Sequence, residues 1–321
     1  MQKRQLGKSS LQVPILCLGG NVFGWTVDER ESFRLLDAAL DAGLNFIDTA
    51  DVYSRWVGGH EGGESETVLG KWFARSGRRS QVVLATKLGF EMGDNKKGLS
   101  RKYIAEAVEA SLRRLQTDYI DLYQAHTDDK ETPLEETLSA FDALVDQGKV
   151  RVIGASNYSG ARLKEAIEIS QKNNLARYEC LQPNYSLVER SAFESDLLPV
   201  VEMYGIGVIP YFALAAGFLT GKYRSKQDAA GKARGQMVEK YLNDRGFAVL
   251  DALDAVAADL HSTPARVALA WLIAKRGVTA PIASATSLDQ LNDLAEATRL
   301  KLPPDAISRL DAASNPAQKA A

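Results

Sequence analysis

The sequence predicts an α/β fold, a (β/α)8 TIM barrel with an N-terminal β-hairpin and a long loop after strand 7. Three observations predict it. Short apolar runs alternate with amphipathic segments; eight such runs each precede at least one helical pattern; and no G-x-G-x-x-G follows an early strand. Alternation of this kind implies a parallel sheet. Eight repeats in 321 residues suit a closed barrel. The missing glycine fingerprint counts against an open, doubly wound dinucleotide-binding sheet. No composition break marks a linker, so residues 1–321 read as one domain.

The elements follow in order. Arg4 to Gln12 is polar and suits a small hairpin around Gly7 and Lys8. Ile15 to Leu18 is the first barrel strand and ends in Gly19-Gly20. Asp28 caps the next helix, in which Phe33, Leu36 and Leu40 share a face, and Gly43 ends it. Asn45 to Ile47 is the second strand, followed from about Ser65 by a helix bearing Val68, Leu69, Trp72 and Phe73. "VVLATK" is a strand ending at Lys87, Arg101 to Gln116 a helix, and "YIDLYQAH" a strand ending at His126. Pro133 opens a helix that Gly148 stops. "VRVIGAS", "YECLQP" and "GVIPYFAL" are the next strands, separated by helices over Ala161–Lys172 and Glu189–Tyr204. The polar stretch Thr220 to Gly246 interrupts the rhythm. Helices over Phe247–Leu260 and Pro264–Arg276, the strand "TAPIAS" and a helix over Leu288–Ala297 complete the pattern.

The bulk properties exclude several classes. A net charge of -2 and a pI near 6.0 argue against a nucleic-acid or membrane-surface binder, both of which want a basic excess. No apolar run is long enough to span a bilayer, and MQKRQLGKSS lacks the apolar stretch of a signal peptide, so a cytoplasmic location is expected. Cys17 and Cys180 lie in apolar strand-like runs and read as buried free thiols.

In a barrel, the C-terminal ends of the strands converge on one mouth. Those ends carry Gly20-Asn21, Asp48 with Tyr53, Lys87, His126, Ser156-Asn157, Gln182, Tyr211 and Ser284-Ala285-Thr286. Each residue alone has a plain structural explanation: an aspartate caps turns, a serine caps helices, and a lone lysine or histidine is usually solvated or hydrogen-bonded. Together they place an acid, a phenol, an amine and an imidazole on successive strand ends. A tyrosine of ordinary pKa, about 10, holds its proton at neutral pH. A nearby ammonium favours the phenolate and eases proton transfer to a developing alkoxide. Asp48 is the expected counter-charge for a buried Lys87, and His126 can orient a carbonyl oxygen. This set suits carbonyl reduction, with hydride from a cofactor. A metal-dependent hydrolase using His126, Asp128 and Asp129 is the weaker alternative, because H-x-H and H-E-x-x-H spacings are absent. No metal is expected.

The segments "NFIDTADVYS", "GGESETVLGKWF", "VVLATKLG", "TDYIDLYQAH", "GKVRVIGASNY", "LQPNYSLVER", "LAAGFLTGKY" and "PIASATSLDQL" resemble the aldo-keto reductase family from about Arg4 to Asp311. The bacterial branch related to potassium-channel β-subunits, with its long loop after the seventh strand, is the most similar. The resemblance implies a catalytic tetrad of Asp48, Tyr53 (general acid), Lys87 and His126. Relatives specialised for steroid C=C reduction carry Glu at the histidine position, so His126 implies a carbonyl reductase or alcohol dehydrogenase. The resemblance also implies a nicotinamide cofactor across the mouth. Ser156, Asn157 and Gln182 would hold the carboxamide and Tyr211 would stack on the ring. Leu214, Gly217, Leu219 and Lys222 would follow the pyrophosphate, with Ser284, Ala285, Thr286, Gln290 and Asp293 at the adenosine end. Gly20 and Asn21 complete the cofactor set.

Two positions depart from the family pattern. Tyr211-Phe212-Ala213-Leu214 replaces Tyr-Ser-Pro-Leu, and Thr286 stands where many NADP-specific members carry Arg or Lys. NADP(H) is favoured, with NAD(H) the alternative. Lys222, Arg224, Lys226, Lys232, Arg234 and Arg245 would make the 220–246 loop a lid over the pyrophosphate. Trp25, Trp56 and His60 fall in mouth loops that shape the substrate pocket; Trp271 reads as core and His261 as structural. The implied partners are a small carbonyl or alcohol substrate and a second copy of the chain in a homo-oligomer, without nucleic acid or membrane. A cofactor-binding redox-sensor subunit with little turnover is the competing function.

Overall fold

In the computed structural model, which describes residues 1–316, eight parallel strands run in chain order around a barrel. An antiparallel hairpin precedes it: β1 (Lys3–Gln5) and β2 (Gln12–Pro14), joined through Gly7. The barrel strands are β3 (Cys17–Gly19), β4 (Phe46–Asp48), β5 (Val83–Leu88), β6 (Ile120–Ala125), β7 (Val150–Ser156), β8 (Tyr178–Gln182), β9 (Gly207–Val208) and β10 (Ile282–Ala283). Each pairs in parallel with its neighbour, and β10 pairs with β3. Backbone hydrogen bonds from Thr279 to Val208 O (2.7 Å) and from Ile282 to Pro210 O (2.9 Å) close the remaining seam.

Strand residues alternate between the two faces of a sheet, and that period builds the site. The lower inward layer holds Cys17, Phe46, Ala85, Leu122, Val152 and Cys180, packed on Leu6, Leu11 and Val13 of the hairpin segment. The hairpin therefore plugs the lower end. Two residues up the same strands, inward positions are Gly19, Asp48, Lys87, Gln124, Gly154 and Gln182. Gly154 is required small: a Cβ there would lie 3.0 Å from Cys180 O and 3.1 Å from Gln124 Cγ.

The helices pack on the outside. They are α1 (Glu29–Asp41), α2 (Glu64–Ser76), α3 (Arg101–Leu115), α4 (Leu134–Asp146), α5 (Gly160–Asn173) and α6 (Leu198–Tyr204). Then come two short ones, α7 (Lys226–Ala229) and α8 (Gly235–Val238), followed by α9 (Asp244–Asp259), α10 (Pro264–Ala274), α11 (Leu288–Ala297) and α12 (Pro304–Ala313). Asp28, Ser100, Ser159, Thr263 and Ser287 each accept a backbone N–H at a helix start, satisfying donors the helix leaves orphaned.

Four elements differ from the sequence expectation. "GVIPYFAL" forms only a two-residue strand, because Pro210 has no N–H to donate and Phe212 turns into the left-handed region at φ 53°. The helix expected over Glu189–Tyr204 begins at Ser191 and is underwound into a π segment at Phe193–Leu197, just before Pro199. The 220–246 stretch is not structureless; it holds α7 and α8. α12 was not anticipated; its Asp311 accepts from Trp271 Nε1 at 2.9 Å and pairs with Lys275 at 2.6 Å, fixing the helix on the core.

At the crossing of α2 and α3, Gly70 touches the opposite backbone. A Cβ there would sit 2.0 Å from Arg114 O. Helix propensity alone favours Gly70→Ala by about 1 kcal/mol, whereas the clash should cost about 1–3 kcal/mol. Chemical denaturation should therefore show Gly70→Ala less stable than the parent.

Candidate active site

Lys87 is completely buried on β5, and its charge is met at once. Its Nζ donates to Asp48 Oδ1 (2.9 Å), Asp48 Oδ2 (2.8 Å) and Thr49 O (2.7 Å). Asp48, at the end of β4, also accepts from Gln182 Nε2 at 2.9 Å. A buried ion pair holds only if its remaining hydrogen-bonding capacity is filled, and Thr49 and Gln182 fill it here.

Tyr53 reaches this pair from the loop after β4. Its hydroxyl donates to Asp48 Oδ2 (3.1 Å) and accepts from Lys87 Nζ (3.0 Å). The turn that brings it there includes Ser54, buried with φ 76°. The phenol pKa is pushed up, by burial first and then by the Asp48 carboxylate. This differs from the expectation that the ammonium alone would lower it. Lys87 is already paired with Asp48, so desolvation decides and the phenol keeps its proton.

His126, one residue past β6, completes the group. Its ring centre is 6.1 Å from that of Tyr53 and 4.4 Å from that of Phe90, which stands edge-on. Its buried Nδ1 has no hydrogen-bond partner among the described residues. Burial, then the Lys87 charge, lowers its pKa, so the imidazole is neutral near pH 7. The alternative metal set does not assemble. Asp128 pairs with Arg162 at 2.9 Å, and Asp129 is spent on Leu99 N and Thr132. No three His, Cys, Asp or Glu side chains converge on a metal position among the described residues.

The residues singled out for a cofactor form three groups around the mouth. Ser156 Oγ donates to Gln182 O (2.8 Å), while Asn157, at φ 58°, donates to His126 O (2.9 Å) and accepts from Tyr211 Oη (2.8 Å). This ties the ends of β6, β7 and β8 to Tyr211. In the second group, Ala215, Ala216 and Gly217 have φ of 48°, 57° and 99° in succession, inside the turn that also carries Leu214 and Leu219. Such a run needs a strong local reason. Lys222 covers it, with Nζ 3.4 Å from where a Gly217 Cβ would stand. Turns of this kind present backbone N–H groups to anions, so the turn and its lysine fit a diphosphate.

The third group joins the first and last strands: Ser284 Oγ donates to Asn21 Oδ1 (2.6 Å) beside Gly20, and Ala285 is buried. Thr286 donates to Gln290 Oε1 through both its N–H (2.9 Å) and its hydroxyl (3.1 Å). Asp293 holds Arg266 of α10 at 2.6 Å. Sequence reasoning missed Arg266. The strand end there carries Thr286 where many relatives have Arg or Lys, and helix packing supplies a basic residue from α10 instead.

The other mouth residues also fall into place. Trp25 and Trp56 meet edge-to-face at 5.5 Å, and Trp56 meets Tyr53 at 5.9 Å. His60 turns instead to Glu64, with Nδ1 3.7 Å from the carboxylate. Trp271 is fully buried, and His261 takes a left-handed φ of 48° just beyond α9. In the 220–246 segment Arg224 pairs with Asp254 at 2.7 Å and Lys240 pairs with Glu189, which pins the segment at two places.

Asp51 lies in the turn-like stretch between Asp48 and Tyr53, yet it is 2% exposed and neither carboxylate oxygen has a side-chain partner. Burial and the nearby Glu66 raise its pKa well above the usual carboxylate value of 3.8, against the attraction of Arg114. Arg114 is committed to Glu66 at 2.7 Å. A carboxyl raised on folding adds stability below its unfolded pKa and loses it as pH rises through the folded one. Asp51→Asn removes that loss. The variant should gain on the parent, by at most about 1.4 kcal/mol per pH unit, as denaturation is repeated from about pH 4 to about pH 7.

The family model described as "Aldo/keto reductase family" matches residues 15–315. The chain is 38% identical to the "Uncharacterized oxidoreductase YrpG" of Bacillus subtilis over 97% of this chain and 95% of the relative. It is 35% identical to a "Probable voltage-gated potassium channel subunit beta" of Oryza sativa subsp. japonica, over 97% and 96%. It is 33% identical to "Protein tas" of Escherichia coli, over 97% of each.

Proposed function

Since the chain belongs to the aldo/keto reductase family, we propose that it is an NADP(H)-dependent oxidoreductase that reversibly reduces aldehydes or ketones to alcohols, with Tyr53 as the general acid. The observation that carries this reading is the phenol of Tyr53 held between Asp48 and Lys87, with a neutral His126 beside it. The bound nicotinamide would supply hydride to the carbonyl carbon; the chain supplies everything else.

The carbonyl oxygen sits between Tyr53 Oη and the imidazole. As carbon becomes tetrahedral, this oxygen gains alkoxide character. An alkoxide, a far stronger base than a phenolate, takes the phenolic proton readily. The phenolate left on Tyr53 is stabilised by the Lys87 ammonium at 3.0 Å. Asp48 keeps that ammonium aimed. Alcohol oxidation runs through the same groups in reverse.

Tyr211, Asn157 and Ser156 would hold the nicotinamide end, the Gly217 turn with Lys222 the diphosphate, and the Asn21–Ser284 junction with Thr286 and Gln290 the adenosine. NADP(H) is preferred because Arg266, drawn onto α11 by Asp293, offers a cation at that end. A second reading, a redox-sensing subunit with little turnover, is favoured by the similarity to relatives named as channel β-subunits.

The test mixes the protein with NADPH or NADH and follows loss of the reduced nicotinamide across a panel of aldehydes. Turnover faster with NADPH is expected; saturable cofactor binding without turnover supports the sensor. Tyr53→Phe should lower kcat by about a hundredfold or more while the NADPH dissociation constant stays near the parent value. Near-normal turnover in that variant sinks the proton-donor assignment.

A further inference from the structure

Asp51 is buried close before Tyr53 in the chain, and the reaction above does not use it. Its carboxyl lies on the outer face of the barrel with Glu66 of α2, Arg114 and Tyr103 of α3 and Tyr123 of β6, and it feels Lys87 of β5. The charges there balance without it. Glu66 accepts from Thr86 Oγ1 (2.6 Å) and from Arg114 Nε (2.7 Å), and the Lys87 ammonium is met by Asp48. Burial raises both phenol pKa values, so Tyr103 and Tyr123 stay neutral. An ionised Asp51 is therefore an excess negative charge. Apart from the adjacent Val52 amide, no described residue hydrogen-bonds its oxygens, and the Tyr123 hydroxyl is also unpartnered. A buried carboxylate in that state is strongly unfavourable, so it must hold a proton or move to water.

The backbone ties this carboxyl to the site. Asp51 N donates to Lys87 O (3.1 Å) and Tyr53 N to Ala50 O (3.3 Å), so the turn carrying the phenol starts from a seat on β5. A Cβ on Gly62 would lie 3.1 Å from Asp51 O, so the loop after Tyr53 folds back onto the same residue. That loop carries Trp56, whose ring meets both Tyr53 and Trp25. Movement of Asp51 toward water displaces Tyr53 and Trp56 together.

We propose that Asp51 is a positioning residue: uncharged, it seats the Tyr53 turn against β5, and its ionisation lifts the turn and stops the reaction in both directions. This rests on the carbonyl-reductase reading above. Loss of one proton from Asp51 to water is the whole chemical change. Burial, ahead of the Glu66 charge, raises the Asp51 pKa, so the seated form is the low-pH form and is lost as pH rises. Tyr53 behaves differently. Its ionisation removes the acid for reduction but supplies the base for alcohol oxidation.

The test measures kcat for aldehyde reduction and for oxidation of the matching alcohol from about pH 6 to about pH 10, in the parent and in Asp51→Asn. In the parent both should fall together, by about tenfold per pH unit beyond a shared midpoint. Asp51→Asn keeps the shape of the neutral acid and cannot ionise, so the shared fall should vanish. Tryptophan fluorescence of the parent should change at the same midpoint, with far-ultraviolet circular dichroism constant. That step should be absent from Asp51→Asn and from Trp56→Phe. Superimposable profiles in parent and Asp51→Asn overturn the proposal, even where the variant is less heat-stable. So does a fall confined to reduction, which belongs to Tyr53, or a parent without the fluorescence step. If the parent turns over in neither direction but the step is present and lost in Asp51→Asn, the ionisation-linked movement stands and the reductase reading fails.

Discussion

A lysine ammonium with no solvent exposure, held at the top of an apolar barrel, is the constraint to which the rest of this structure answers. Desolvating that charge costs several kcal/mol, and the cost is recovered only with good geometry and full hydrogen bonding. Asp48 meets it with both oxygens, Thr49 with its carbonyl, and Gln182 fills the other side of Asp48 from a strand on the far side of the barrel. Three strands must therefore keep their register for the charge to be tolerable. The same arrangement presents a neutral phenol to the mouth, so what makes Lys87 bearable also positions Tyr53.

The alternation of β-strand side chains explains why the polar layer is so thin. One step down each strand pair, the inward positions are Phe46, Ala85, Leu122 and Cys180, sealed from below by Leu6, Leu11 and Val13. Cys17 and Cys180 lie fully buried at that end, and burial raises both thiol pKa values. Charge is confined to one layer between an apolar floor and an open mouth. There the low dielectric strengthens each interaction the layer makes.

The barrel order and the strand ends carrying Asp48, Lys87 and His126 were legible in the sequence, because strand alternation and the apolar-to-polar switch are local signals. Other features depend on packing between distant segments and leave no local trace. "GVIPYFAL" has the hydrophobicity of a strand, but Pro210 and the left-handed Phe212 end it early. Arg266 and Asp293 are 27 residues apart and meet only because α10 and α11 pack together. The environment of Asp51 is similar: a polar residue in a turn-like stretch became a buried carboxyl because Glu66 of α2 and Arg114 of α3 close over it. The direction of the Tyr53 shift was misjudged for the same reason, since it depends on how completely Asp48 occupies Lys87.

The barrel interior and the rim solve their electrostatics differently, and that difference follows from how deeply each is buried. Inside the barrel, the Lys87 ammonium is met by Asp48 of β4 and the Thr49 carbonyl, with Gln182 of β8 behind Asp48. At the rim, the segment bearing Arg234 is pinned by Arg224–Asp254 and Lys240–Glu189 on either side, while the guanidinium between them rests on an indole. An aromatic face holds a cation without consuming its hydrogen-bond donors. The fold thus keeps its fully buried ion pair on the strands and its more exposed pairs on the segment that borders the mouth.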